Sequence, residues 1–260
     1  MKIALAQIKT SPKWQENLEK ILILIKKAKQ NSTDLIVFPE TSMAFVPNGG
    51  DFGAIAQSED DEFVQGILKE SKDLNICVVF GFFEKDIQKT KNSVIFADSG
   101  KIIHKYSKTH LYNAFSYDES KDIKEADNPL KAFDTRFGKM GLMVCYELRF
   151  PEIARTLALQ GAKLIIVPTA WVDGDLKKEH FSLLTRTRAL ENTLFLCACS
   201  QTKNIYTGHS SLINPLGIEL IKMSEEEEGL EFSEINLDEI KEVRKILPCL
   251  EQRRKELYGL

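Results

Sequence analysis

At 260 residues, with 43% hydrophobic and 28% charged side chains, the chain has the composition of a globular protein able to bury a large core. The formal net charge of −3 gives no reason to expect nucleic acid or an anionic membrane as a partner. No stretch reaches the roughly 18 apolar residues of a membrane span, and the apolar run after Met1 is too short for an export signal.

The five cysteines, Cys77, Cys145, Cys197, Cys199 and Cys249, are odd in number and mostly lie in apolar runs. That pattern predicts reduced thiols and a cytoplasmic protein. Strands and helices then alternate. Lys2 to Ile8 reads as a strand, and Asn17 to Gln30 as a helix, with Leu18, Ile21, Leu22 and Ile25 at helical spacing. Asp34 to Phe38 is an apolar run stopped by Pro39. Asp61 to Leu74 reads as a helix. Ile76 to Glu84 and Ser93 to Ala97 read as strands, and Asp98 to Lys101 as a hairpin turn that returns through Ile102 to Tyr106.

The second half restarts the pattern. Lys131 to Thr135 and Lys139 to Val144 are predicted strands, Pro151 to Gln160 a helix with proline in its first turn, and Lys163 to Val167 a buried strand. Leu176 to Thr193 reads as a helix and Phe195 to Ser200 as a strand. Two further strands and a turn at Pro215 to Gly217 follow. Glu225 to Glu228 is a solvated acidic loop, and a charged helix and tail begin at Asp238. The run from Asp34 to Pro39 echoes that from Lys163 to Pro168. Two similar halves stacked face to face would bury both, which predicts one domain over 1–260, a sandwich of two mixed sheets with helices outside.

Three residues could carry chemistry. Cys145 ends the strand at Val144, shortly before a helix opens at Pro151. There, outward-pointing backbone N–H groups can stabilise a thiolate and later an oxyanion. A buried structural cysteine is the plainer reading, since free cysteines are among the most buried residues. Glu40 stands at the mouth of an apolar strand, where partial desolvation suits a carboxylate to proton transfer; a solvated loop glutamate is the alternative. Lys108 follows another strand and could place positive charge beside an oxyanion, or simply be solvated. All three fall just beyond predicted strand ends, where α/β folds collect active sites.

The segments Phe38 to Glu40, Tyr106 to Leu111 and Val144 to Glu152 resemble the nitrilase superfamily in order and spacing, as do Arg188 to Asn192, Gly208 to Ser211 with Asn214 to Gly217, and Arg253-Arg254 before Leu257-Tyr258. The resemblance covers nearly the whole chain. It implies a four-layer α-β-β-α sandwich. It also implies a triad in which Glu40 is the general base and Cys145 the nucleophile, with Lys108 and the Tyr146 backbone N–H stabilising the oxyanion. Glu119 would orient Lys108 or the substrate, with Asp118 as its neighbour and rival. No metal or organic cofactor is implied.

The motif from Cys145 to Glu152 resembles the amidase branch that includes ω-amidases and deaminated glutathione amidases. The implied reaction is hydrolysis of a small linear amide through a thioester. N-carbamoyl compounds, nitriles, acyl transfer and a catalytically silent relative are the alternatives. Arg149 could pair with a substrate carboxylate or form a structural ion pair with Glu147 or Glu152. Trp171 could line the pocket or cap the core. Cys197 and Cys199 form a C-x-C pair without a second ligand pair, so a core strand is expected. His110 and His180 lack metal-ligand spacing. The tail from about Asp238 has little core of its own to bury against, and the resemblance implies that it crosses to a second subunit of a homodimer or higher homo-oligomer.

Overall fold

Strand β1 (Lys2–Gln7) is apolar at every position after Lys2 except Gln7, and leads into helix α1 (Trp14–Gln30), which buries Leu18, Ile21, Leu24 and Ile25 along one stripe. The structure is a computed structural model and describes residues 1–258 apart from 48 and 226. After α1 come β2 (Leu35–Val37), α2 (Glu62–Leu74), β3 (Cys77–Glu84), β4 (Lys91–Asp98) and β5 (Lys101–Ser107). The second half holds β6 (Phe133–Thr135), β7 (Gly138–Leu142), α3 (Pro151–Leu159), β8 (Leu164–Thr169), α4 (Lys177–Asn192), β9 (Phe195–Ser200), β10 (Ser211–Ile213) and β11 (Glu219–Lys222). Strand β12 (Gly229–Glu234) and helix α5 (Glu239–Ile246) complete the main elements.

Two six-stranded sheets result, in the orders β12-β1-β2-β3-β4-β5 and β11-β10-β9-β8-β7-β6. In each, three central strands run parallel (β1, β2, β3 and β7, β8, β9) and antiparallel strands flank them. The sequence echo therefore marks equivalent positions: β2 and β8 are the middle strands of their parallel trios, and every residue of both is buried.

Side chains alternate between two layers. Ile3, Leu5, Leu35, Val37 and Val79 meet Met140, Leu142, Leu164, Ile166 and Cys197 between the sheets. On the other face of the first sheet, Ala4, Ile36 and Val78 pack on α1 and α2. Helices α3 and α4 cover the second sheet. The four-layer α-β-β-α sandwich is thus the observed fold. Cys197 and Cys199 lie fully buried in β9, and the Cys199 thiol donates to the Val37 carbonyl at 3.0 Å across the sheets, as a core strand requires.

Several elements differ from expectation. Strand β7 stops at Leu142 rather than Val144, because Cys145 to Arg149 form a tight 3₁₀ turn and the two residues before it must leave the ladder. Strand β12 has an irregular half-exposed pattern with no clean alternation, and pairs antiparallel with β1 across more than two hundred residues. The tail also differs: α5 buries Ile240 and Val243 in its own fold, and Arg244 donates to Thr193 Oγ1 at 3.0 Å. Only later, at Ile246, Leu257 and Tyr258, does the tail hold apolar side chains well out of the core. Of the acidic loop, Glu226 lies outside the described residues, as do Gly259 and Leu260 of the tail.

Candidate active site

The parallel trios and the double reversal through β4 and β5 bring the carboxyl ends of β2, β5, β7 and β8 to one edge of the sandwich. Glu40, Lys108, Cys145 and Ala170 follow those four strand ends. The approach is tight. A Cβ on Gly81 of β3 would stand 2.6 Å from the Thr41 backbone nitrogen and 3.0 Å from Glu40 Cα, so only glycine lets the Pro39–Thr41 segment lie against β3. Gln201 fixes the same segment from the second sheet by donating to the Glu40 carbonyl at 2.9 Å.

Glu40 is 3% exposed and its carboxylate is fully engaged. Oε1 accepts from Lys108 Nζ at 2.9 Å and from Asn92 Nδ2 at 2.7 Å, and Oε2 accepts from the Ala170 backbone N–H at 2.8 Å. Lys108 lies between two carboxylates, since Glu119 Oε2 is also 2.9 Å from its ammonium. Glu119 accepts the Tyr112 N–H at 2.7 Å as well. Asp118, its neighbour in the sequence, points instead to Ser120, whose N–H and hydroxyl it accepts. Burial works against the charge on Lys108, but Glu119 and Glu40 outweigh it and hold the ammonium well above its ordinary pKa.

Cys145 opens the 3₁₀ turn with φ +47°, a left-handed conformation that is costly for a residue with a side chain. Its side chain faces the cavity that Glu40 and Lys108 also line. Burial and the Glu40 charge push the thiol pKa well up, against the pull of Lys108, so the resting group is a neutral thiol beside a carboxylate. The Tyr146 N–H is in the first turn of the helical segment, where backbone donors have no intrahelical acceptor.

Glu147 holds this turn in place. It is fully buried; Oε2 accepts the Val144 N–H at 2.7 Å, and Oε1 accepts from Tyr106 Oη and from the Thr109 N–H and hydroxyl, each at 2.8 Å. The nucleophile turn is thereby tied to the segment that carries Lys108. Arg188, in the Arg188–Asn192 motif, donates to the Leu148 carbonyl at 3.0 Å and buttresses the same turn.

Beside Cys145 opens a pocket lined by Tyr112, Tyr146, Arg149, Trp171 and Lys177, among others. Neither Glu147 nor Glu152 pairs with Arg149, and no carboxylate among the described residues lies within ion-pair distance of it. Its guanidinium lies 5.0 Å from the Trp171 ring centre and 5.8 Å from that of Tyr146, and its buried Nε has no hydrogen-bond partner among the described residues. Trp171, for which pocket lining and core packing were alternative readings, lines this pocket and also packs on Phe181. A second cavity, which shares Cys145 and Tyr112 with the first, is lined by Glu40, Lys108, Glu119, Phe83, Tyr117 and Tyr206, among others.

The sequence reading missed Asn92, Ala170 and Lys177. Asn92 had one signal, an amide at the head of the buried run Ser93 to Ala97. Ala170 acts only through its backbone N–H, which no side chain advertises.

A buried thiol beside a buried carboxylate, a lysine between two carboxylates and a first-turn backbone N–H suit a cysteine hydrolase-type site at the edge of an α-β-β-α sandwich. Residues 2–245 match the family described as carbon-nitrogen hydrolase. The chain belongs to that family and is an enzyme acting on non-peptide carbon–nitrogen bonds. It is 32% identical to the deaminated glutathione amidase of Escherichia coli O157:H7 over 98% of this chain and 97% of that one. It is 31% identical to the omega-amidase NIT3 of Saccharomyces cerevisiae over 100% of this chain and 95% of that one. The crystal structure of Saccharomyces cerevisiae Nit3, a member of the nitrilase superfamily, superposes with a TM-score of 0.87 at 28% identity, covering 98% of this chain and 96% of that one. Among the described residues, no helix is long and apolar enough to cross a membrane.

Proposed function

We propose that this enzyme hydrolyses the amide of a small linear ω-amide acid, reading the distant carboxylate with Arg149 and releasing ammonia through a thioester on Cys145. The observation that carries the reading is Arg149. It is a cation in the nucleophile's own pocket, on an aromatic floor, with no carboxylate partner among the described residues. A guanidinium so placed awaits a planar anion. The named activities of the relatives, an omega-amidase and a deaminated glutathione amidase, are of this class.

The burial and contacts of these residues support the following steps. Glu40 takes the thiol proton as Cys145 Sγ attacks the amide carbon. The Lys108 ammonium and the Tyr146 N–H stabilise the oxyanion. Glu40 returns the proton to nitrogen, ammonia leaves and a thioester remains. Water, deprotonated by Glu40, releases the acid and the free thiol. Glu119 and Asn92 hold Lys108 and Glu40 in register throughout, and the Ala170 N–H orients the Glu40 carboxylate.

The test compares an ω-amide acid with a neutral analogue whose carboxylate is replaced by an amide. Arg149→Ala is expected to cost about 2–5 kcal/mol of transition-state binding for the acid, tens to thousands of fold in kcat/KM, with little change for the neutral compound. Arg149→Lys is expected to recover only part of that. Equal losses on both substrates would contradict the reading.

The five free cysteines support a cytoplasmic location. We also propose a symmetric homodimer. Leu183 and Leu190 of α4 are 65% and 43% exposed, Ile218 is 56% exposed on the neighbouring turn, and Ile246 is 76% exposed in the tail.

A further inference from the structure

Lys177 opens α4, and by every local rule it is badly placed. It is only 6% exposed, although its ammonium has no carboxylate partner among the described residues. It stands at the positive end of a helix dipole, where a cation is unfavourable. It also shares the pocket with another cation, Arg149. The fold nonetheless directs it inward. Leu176 adopts φ +59° and swings out to 63% exposure, which turns the chain so that Lys177 points into the pocket. Trp171 Nε1 then pins the Lys177 carbonyl at 2.9 Å.

The ammonium is held at the mouth of the pocket. Nζ donates to Tyr112 Oη at 2.8 Å and lies 3.4 Å from the centre of the Phe115 ring, while the Arg149 guanidinium lies 5.6 Å from that same ring centre. Both cations therefore converge under one aromatic side chain. Tyr112 is in turn fixed by Glu119, which accepts its N–H, so the position of Lys177 is linked to that of Lys108.

We infer that Lys177 is a second carboxylate-reading residue, which grips the same substrate carboxylate as Arg149 from the other side. This rests on the proposed ω-amide acid reading and narrows it to a monocarboxylate acyl end. At formal charges, Glu40, Glu119 and Lys108 together leave one negative charge, and Arg149 and Lys177 add two positive ones. One carboxylate balances these five groups, which line the two cavities, whereas a second would leave an unpaired anion in a partly dry pocket. The strain and the unpaired charge at Lys177 are then features that the bound substrate compensates.

The titratable groups facing Lys177 are Tyr112 from the loop after β5, and Arg149 and Cys145 from the nucleophile turn. Burial first, and then Arg149, lowers its pKa, with Cys145 opposing. Binding of the carboxylate needs the charged amine, so that contribution is lost as pH rises through the lowered value. An arginine at this position would keep its charge.

The experiment measures kcat/KM against pH for an ω-amide acid and its neutral amide analogue, in the wild type, Lys177→Met, Lys177→Arg and Arg149→Ala. Lys177→Met is expected to lower kcat/KM for the acid by about tenfold or more, chiefly through KM, and to leave the neutral analogue nearly unchanged. The acid alone should show an alkaline decline in the wild type, and Lys177→Arg should remove it. Equal losses on both substrates in Lys177→Met, or an alkaline decline that survives in Lys177→Arg, would overturn the inference and leave Lys177 as a latch on Phe115. If Arg149→Ala discriminates between the substrates and Lys177→Met does not, only the Lys177 inference fails. If Arg149→Ala does not discriminate, the carboxylate reading itself fails and this inference with it.

Discussion

The backbone N–H of Ala170 donates to Glu40 Oε2 at 2.8 Å, so the carboxylate borne by the first sheet is aimed by a donor from the second. These residues are 130 positions apart, and each follows the central strand of its own parallel trio. The other carboxylate oxygen is taken by Lys108 and Asn92 of the first sheet. The site is therefore assembled only when the two sheets stack in register, and the orientation of the Glu40 carboxylate depends on the packing between them.

That placement has a consequence for reactivity. Burial and the Glu40 charge raise the Cys145 pKa, and Lys108 lowers it. Alkylation of Cys145 by iodoacetamide should therefore keep accelerating as pH rises above neutrality, without an early plateau. Glu40→Gln removes the raising charge and leaves Lys108, so the midpoint of the alkylation profile should move to lower pH even as hydrolysis falls by about 10²-fold or more. A wild-type plateau below pH 7, or a midpoint that rises in Glu40→Gln, would contradict the electrostatic account.

Gly81→Ala tests how the Glu40 segment is positioned. The added Cβ would meet the Thr41 nitrogen at 2.6 Å, where no flexible side chain can give way. The expected cost is about 1–3 kcal/mol of stability by chemical denaturation, accompanied by a fall in kcat as Glu40 shifts from its donors. Unchanged stability and turnover would mean that the segment is looser than its contacts imply.

Glu119 and its neighbour Asp118 should behave differently. Glu119→Gln weakens the hold on Lys108 and is expected to lower kcat by about tenfold to a hundredfold, with a smaller change in KM. Asp118→Ala removes an acceptor for the Ser120 N–H and hydroxyl, and should cost about 1 kcal/mol of stability with kcat nearly unchanged. Steady-state kinetics that reversed this order would reassign the second carboxylate.

Light scattering at micromolar concentration should give twice the 29.5 kDa mass of the chain. Leu183→Lys, which places charge in the exposed apolar face of α4, should shift the species to monomer while the far-ultraviolet spectrum stays unchanged. A monomeric wild type would remove the proposed dimer.

Much of this site could be read from the sequence, because Glu40, Lys108 and Cys145 each stand in a short string at the end of an apolar run. Each such run became a strand or led directly out of one. Glu119 stands in a polar loop with no such run before it, and only the family resemblance pointed to it. Asn92, Ala170 and Lys177 were not legible. Each acts through a neighbour brought to it by strand order, and Ala170 acts through a backbone atom. Glu147 lies inside the nucleophile string, yet its role as a clamp depends on Tyr106 and Thr109, about forty positions earlier. Strand β12 was hidden for a related reason: one partner and a half-exposed face leave no alternation to detect.

The most direct test of the account is an intact-mass and peptide-mapping measurement on enzyme quenched during turnover of an ω-amide acid. A single acyl adduct is expected on the peptide that contains Cys145; it should disappear on alkaline hydroxylamine treatment and should not form in Cys145→Ala. An adduct on another residue, or substantial turnover by Cys145→Ala, would contradict this expectation.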